Sequence, residues 1–120
     1  MPVILFYRER DRVPLLEWLD RQERRELAKA LTVIGLLGEH GFRLERPHAA
    51  PLRDDIFELR FQFGHVNYRV LYFFFGVSAV VLTNGLTKER RVPASEIERA
   101  LAMKRNFEAT PDLHSAEVEL

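Results

Sequence analysis

The sequence predicts an α+β fold in which an N-terminal helical hairpin packs on a small, mainly antiparallel sheet and a further helix closes the C-terminal end. Three observations carry this prediction. Residues 54–93 hold three aromatic and β-branched runs separated by Gly64-His65 and Gly76-Val77; residues 13–37 show apolar side chains at helical spacing; residues 93–107 do so again. A chain of 120 residues with 47% apolar side chains suits one domain with its own core. Residues 1–108 are expected to form that domain, with residues 109–120 as an acidic, loosely attached tail.

In chain order, Val3 to Tyr7 is an apolar, β-branched run long enough for one strand and too short for a helix. Asp11 is placed to cap the next segment and Pro14 suits a first helical turn, which predicts a short helix with Val13, Leu15, Leu16, Trp18 and Leu19. A second helix is expected from about Arg21 to Leu37, stopped by Gly38 or Gly41. Gly38 to Arg53 reads as an irregular connector carrying Arg43, Arg46, His48 and Arg53. Asp54 and Asp55 read as turn residues. The last helix is expected from Pro93 to about Phe107, opened either by Pro93 or by a Ser95/Glu98 capping box.

Between those helices lies the stretch that carries the chemistry. If each turn has two residues, with glycine supplying the positive φ of a type II′ hairpin, the register of a three-strand meander follows. One face then receives Phe57, Leu59, Phe61, Tyr68, Val70, Tyr72, Phe74, Ala79 and Val81, the face for the helices to cover. The other places Arg60 opposite Arg69 and Arg69 opposite Asn84, with Gln62 facing Asn67 and Glu58 diagonal to Arg69. Leu71, Phe73, Val80 and Leu82 share this second face, so part of it calls for cover as well. Two arginines directly across a ladder repel each other and ask for an anion, either Glu58, the acidic tail or a phosphate.

Composition narrows the functional classes. The net charge is zero, yet residues 1–105 carry +4 and residues 106–120 carry −4, which permits an anionic partner for the body of the chain. With no cysteine, disulfides and thiolate catalysis are excluded, and a cytoplasmic setting is expected. The N-terminus lacks the order of charges of a secretory signal, and no apolar run has membrane-spanning length, so no membrane association is expected. The four histidines show no metal-ligand spacing, and no phosphate loop or nucleophile elbow is present.

The order PLRDDIFELRF, NYRVLYFF and VVLTNGLTKERRVPASEIERA, preceded by a short strand and two helices, resembles the RelE superfamily of bacterial toxins, nearest its HigB-like branch, which includes phage-derived relatives. The resemblance spans about residues 2–105. It implies a RelE-like α+β toxin of a type II toxin–antitoxin pair: a metal-independent endoribonuclease that needs no cofactor and inhibits translation by cutting mRNA on the ribosome. It also implies a HigA-like helix-turn-helix antitoxin as partner, with operator DNA reached only through that antitoxin. Arg60 and Arg69 match the family's two strand arginines. Where the family commonly has an aromatic residue followed by two lysines, this chain has Leu86, Thr87, Lys88 and Glu89.

RNA cleavage by its own 2′-hydroxyl requires in-line orientation, stabilisation of a dianionic phosphorane, and proton transfer at the attacking and leaving oxygens. Arg60 and Arg69 are the candidates for charge stabilisation and Lys88 for the leaving oxygen. For the base, His65 in the turn, Glu58 and His48 all remain open, with His65 carried in the catalytic set. Asn84, Arg90, Arg91 and Arg53 complete the expected RNA-binding surface. The competing expectation is a non-catalytic binding module that acts as the partner of a helix-turn-helix repressor.

Overall fold

Val3–Tyr7 forms strand β1, whose partner lies far along the sequence: it runs parallel to β5 (Ala79–Thr87), with Val3 opposite Ala79 and Phe6 opposite Leu82. The computed structural model describes residues 1–87 and 90–119. After β1 come helices α1 (Pro14–Asp20) and α2 (Arg24–His40), a short 3-10 turn at Gly41–Arg43, and strands β2 (Ala49–Arg53), β3 (Ile56–Phe63) and β4 (Val66–Phe75). Beyond β5 lie α3 (Ala94–Ala109), the single turn α4 (Pro111–His114) and the two-residue strand β6 (Ser115–Ala116). Among the described residues the sheet has six strands in the order β2-β3-β4-β5-β1-β6, and only the β1/β5 pair is parallel.

The α+β class and the mainly antiparallel sheet agree with the sequence, but the arrangement differs in three respects. The helix pair does not stand at the head of the fold as a unit on a small sheet, because β1 precedes it and is built into the sheet interior. The connector read as irregular contains β2, joined to β3 by a tight turn in which Asp54 and Asp55 both take positive φ, a conformation aspartate tolerates better than most residues. The tail expected to be loosely attached carries α4 and β6: Ser115 and Ala116 pair with β1, the Arg8 guanidinium donates to the backbone oxygens of Ser115 and Asp112, and His114 stacks on Tyr7. Local starts moved too. Asp11 does not cap α1, whose N-cap is Val13, and α3 starts after Pro93 rather than from a Ser95 capping box.

The two hairpins behave differently. Between β3 and β4 the turn has two residues, with Gly64 at φ +61 and no positive φ at His65, so Arg60 lies opposite Arg69 as predicted. Between β4 and β5 the loop has a third residue, Ser78, so Phe75 pairs with Ala79. That offset turns Val80 and Leu82 toward the helices and Ala79 and Val81 away, the reverse of the expected assignment. An irregularity at Thr83 and Asn84 then restores the original alternation, leaving Arg69 opposite Leu86 rather than Asn84.

Both faces of the sheet are dry over part of their area. On one side α1 and α2 bury Leu15, Trp18, Val33, Ile34 and Leu37 against Phe6, Leu59, Val70, Tyr72 and Leu82. On the other, α3 lays Ile97, Ala100, Met103 and Phe107 over Tyr7, Ile56, Leu71, Phe73 and Val81. Each fully buried large apolar side chain contributes about 1.5–3 kcal/mol relative to exposure, so the α3 layer is a second core. It covers the far part of the face that carries the arginines and leaves their end open.

Candidate functional site

The strand alternation that sends Phe57, Leu59 and Phe61 toward α2 turns Glu58 and Arg60 to the opposite face, beside Arg69 of β4. Oε1 of Glu58 lies 3.3 Å from Nε of both Arg60 and Arg69. The Glu58 and Arg69 side chains are each only 8% exposed, whereas that of Arg60 is 38% exposed. Arg69 also donates from Nη2 to the backbone oxygen of Arg90 at 2.9 Å, which fastens the segment after β5 to the sheet. One carboxylate thus holds two guanidinium groups by their Nε atoms. The Nη groups of Arg60 have no hydrogen-bond partner among the described residues.

Two clefts meet at these arginines. The smaller, about 260 Å³, is lined by Arg46, Arg60, Arg69, Arg90 and Arg91, with Glu58 the only acidic residue in its described lining. The larger, about 560 Å³, lies between α2 and the β3/β4 hairpin and shares Arg60, Arg69 and Arg90 with its neighbour. Among the described lining residues guanidinium outnumbers carboxylate, a composition suited to an anion because planar forks grip phosphate oxygens bidentately. Among the described residues there is no group of three or more His, Asp or Glu side chains arranged to hold a metal ion.

The residues predicted from sequence fall into three groups. Arg60, Arg69, Arg90 and Arg91 come together in the smaller cleft. Asn84, Arg53 and His65 do not. Asn84 is almost fully buried, donating from Nδ2 to Oε1 of Glu96 on α3 at 3.0 Å and accepting from the Thr83 hydroxyl. Arg53 is held by Glu98 at 2.5 Å and Asp54 at 2.8 Å, contacts that raise its pKa in that order, and it lines neither cleft. His65 stands exposed at the tip of the β3/β4 turn, outside both linings. Lys88 lies outside the described residues.

His48 was an open candidate and is better placed than His65. It lines the larger cleft beside Arg60, and its backbone oxygen accepts the Arg60 N–H at 2.7 Å. Sequence reasoning left Arg46 out of the site set; its position three residues before Ala49, the edge strand's first rung, was the available signal. Tyr72 is turned to the helices as expected, and burial followed by the nearby Glu58 charge raises its pKa, so it stays a neutral phenol.

Residues 17–105 match the family described as phage derived protein Gp49-like (DUF891). The chain belongs to this Gp49-like family. Among curated proteins it is similar to the probable endoribonuclease HigB1 of Mycobacterium tuberculosis, in strains CDC 1551 / Oshkosh and ATCC 25618 / H37Rv, at 37% identity over 67 residues in each case. That alignment covers 52% of this chain and 54% of the relative, so the chain spans about half the length of the curated relatives it matches. In this Gp49-like chain the matched span contains every described residue that lines the two clefts, and it leaves out β1, α4 and β6. Among the described residues no helix is long and apolar enough to cross a membrane.

Proposed function

We propose that this chain is the toxin of a type II toxin–antitoxin pair, a metal-independent endoribonuclease of RelE type that cuts mRNA on the ribosome in the cytoplasm. The observation that carries this reading is the Arg60/Arg69 pair, held by one buried carboxylate at the mouth of an arginine-lined cleft. The similarity to a probable endoribonuclease supports it. On this reading its antitoxin is a HigA-like helix-turn-helix protein, which alone contacts operator DNA.

The chemistry follows from the side chains. A scissile phosphate enters the smaller cleft and takes the Nη groups of Arg60, with Arg69 adding its charge from behind. Attack of the 2′-hydroxyl on phosphorus spreads a second negative charge over the equatorial oxygens, and guanidinium groups oriented in advance by Glu58 meet it without reorganising. His48 accepts the 2′-hydroxyl proton and Lys88 donates to the departing 5′-oxygen. The ribosome supplies the remaining alignment of the RNA. Induction of the wild-type chain arrests growth and leaves mRNA cut within codons on translating ribosomes; intact mRNA in induced cells overturns the reading.

A specific observation favours a second reading. Glu58 already neutralises part of the arginine pair, as it would in a non-catalytic module whose role is to bind a helix-turn-helix partner. Purified chain that leaves ribosome-bound mRNA uncut yet forms a stable complex with such a partner supports that alternative.

A further inference from the structure

Against the first turn of α3 lies a buried polar cluster. Thr83 and Asn84, at the irregularity of β5, are 0% and 1% exposed. The Thr83 hydroxyl lies 3.1 Å from the Leu71 backbone oxygen and 2.7 Å from Oδ1 of Asn84, and Nδ2 of Asn84 donates to Oε1 of Glu96 at 3.0 Å. Burying an amide and a hydroxyl carries a desolvation cost that their hydrogen bonds offset, so stability alone gives little reason for polar groups here. What the cluster adds is direction. Burial of Leu71, Leu86, Val92 and Ile97 holds α3 on the sheet without fixing its position along it, whereas a chain of hydrogen bonds fixes that position.

We propose that Glu96 is a positioning residue for the arginine cleft: through Asn84 it sets the start of α3, and with it where Arg90 and Arg91 stand relative to Arg60 and Arg69. The inference rests on the RNA-cleaving reading and adds to it what holds one wall of the site in place. Arg90, Arg91 and Val92 line the smaller cleft and lead through Pro93 into α3. Arg69 holds the Arg90 backbone oxygen at 2.9 Å, and Val92 is buried in the second core. The wall is thus pinned to β4 before the helix and to β5 inside its first turn. The other polar tie from this part of α3 to the sheet, among the described residues, is Glu98 to Arg53, whose side chains are 59% and 41% exposed. An exposed ion pair constrains little. Nη1 of Arg99 stands 3.6 Å from Oε1 of Glu96 on the same helix, so it adds charge there without tying α3 to the sheet. A helix that slips by one residue moves about 1.5 Å along its axis, and a misplacement of about 1 Å at reacting groups can cost about a hundredfold in rate.

The test compares the full wild-type chain with Glu96→Ala and Glu96→Gln, by NMR of the free protein and by cleavage of ribosome-bound mRNA. Glutamine keeps an acceptor oxygen for Asn84 and loses the charge facing Arg99; alanine loses both. In Glu96→Ala the backbone amide signals of Arg90 and Arg91 shift, and kcat falls about tenfold or more while KM stays within about threefold. A displaced guanidinium still attracts RNA but no longer meets the charge that develops on phosphorus. Glu96→Gln rescues both readouts, returning the amide signals to their wild-type positions and kcat to within about threefold. Should Glu96→Ala lower the folded fraction, Glu96→Asp, which keeps the carboxylate on a shorter arm, shows the same shift and the same loss at smaller amplitude. Unmoved Arg90 and Arg91 signals in Glu96→Ala overturn the proposal, as does a Glu96→Gln variant impaired as far as Glu96→Ala, or a fall in kcat that only matches the fall in folded fraction. Wild-type chain that cuts no mRNA sinks the endoribonuclease reading, and the amide shifts then decide the role of Glu96. Cleavage that survives Glu96→Ala unchanged sinks the positioning role alone.

Discussion

Oε1 of Glu58 accepts a hydrogen bond from Nε of Arg69 at 3.3 Å, with both side chains almost entirely shielded from water. A charge in that position is held by its partner, and removing either group leaves the other desolvated. Arg69 therefore serves the fold as well as the cleft. Arg69→Lys keeps the charge but loses the planar fork, so it costs about 1–3 kcal/mol in urea unfolding. Growth arrest on induction disappears in the same variant while the folded fraction at 25 °C stays above nine-tenths. Undiminished toxicity would remove Arg69 from the site.

Glu58→Gln keeps an acceptor for the two Nε atoms and removes the negative charge that competes with RNA phosphate. Affinity for a short 2′-O-methyl RNA, which cannot be cut, rises about threefold to tenfold by fluorescence anisotropy, roughly the effect of one nearby charge at intermediate dielectric. Weaker binding would mean that the carboxylate's alignment of the arginines outweighs its repulsion of the phosphate.

How much of this was readable in advance differs from strand to strand. The β3/β4 register followed from one glycine and the alternation on either side, so the Arg60/Arg69 pair was legible. Gly76 gave the same signal, but the chain spends a third residue, Ser78, in that loop and then absorbs the offset at Thr83 and Asn84. Nothing local to the sequence marks either event, and the expected row ending in Asn84 fails for that reason. Arg53 and Asn84 were legible as polar residues near the right strands, but not as residues already bonded to Glu98 and Glu96, because that depends on how α3 crosses the sheet. The cover on the second face was anticipated from Leu71 and Phe73, though the identity of the covering helix was not.

Gly85 makes a prediction about the fold alone. A Cβ built there lies 2.2 Å from Cδ2 of the Trp18 ring, so the strand approaches the indole more closely than any side chain allows. Gly85→Ala lowers stability by about 1–3 kcal/mol or more. Trp18 is the single tryptophan, and its fluorescence reports both the changed environment and the unfolding midpoint. A midpoint equal to wild type would contradict the packing described.

Tyr7 predicts a response to alkali. Burial first, then its hydrogen bond to Glu9, pushes its pKa up to about 12 from an ordinary value of about 10. An acid whose folded pKa lies above its unfolded one contributes stability that is complete below pH 10 and is lost as pH rises through 12. Wild-type stability consequently falls over that interval by on the order of 2 kcal/mol from this group, and Tyr7→Phe shows a shallower fall, measured by unfolding at pH 9, 10 and 11. Equal slopes for the two proteins would contradict the assignment.

Removing residues 110–120 takes away β6, the His114 ring on Tyr7 and two of the three backbone acceptors of the Arg8 guanidinium. These contacts lie at the end of the sheet opposite β2, away from the arginine clefts. The truncated chain melts at a lower temperature by calorimetry, and its RNA affinity stays within twofold of the full chain. A large gain in affinity would show instead that the acidic residues screen the clefts.

The parallel pair of β1 and β5 bears on when the molecule becomes whole. During synthesis the first strand leaves the ribosome long before Ala79 to Leu82 exist for it to dock against, and closing so long a loop carries a substantial entropic cost. The hairpins from β2 through β5 can assemble early from neighbouring contacts, while β1 waits for β5 before it can take its place in the sheet. Completion of the sheet is therefore a late event, timed by the emergence of residues that follow the arginine strands.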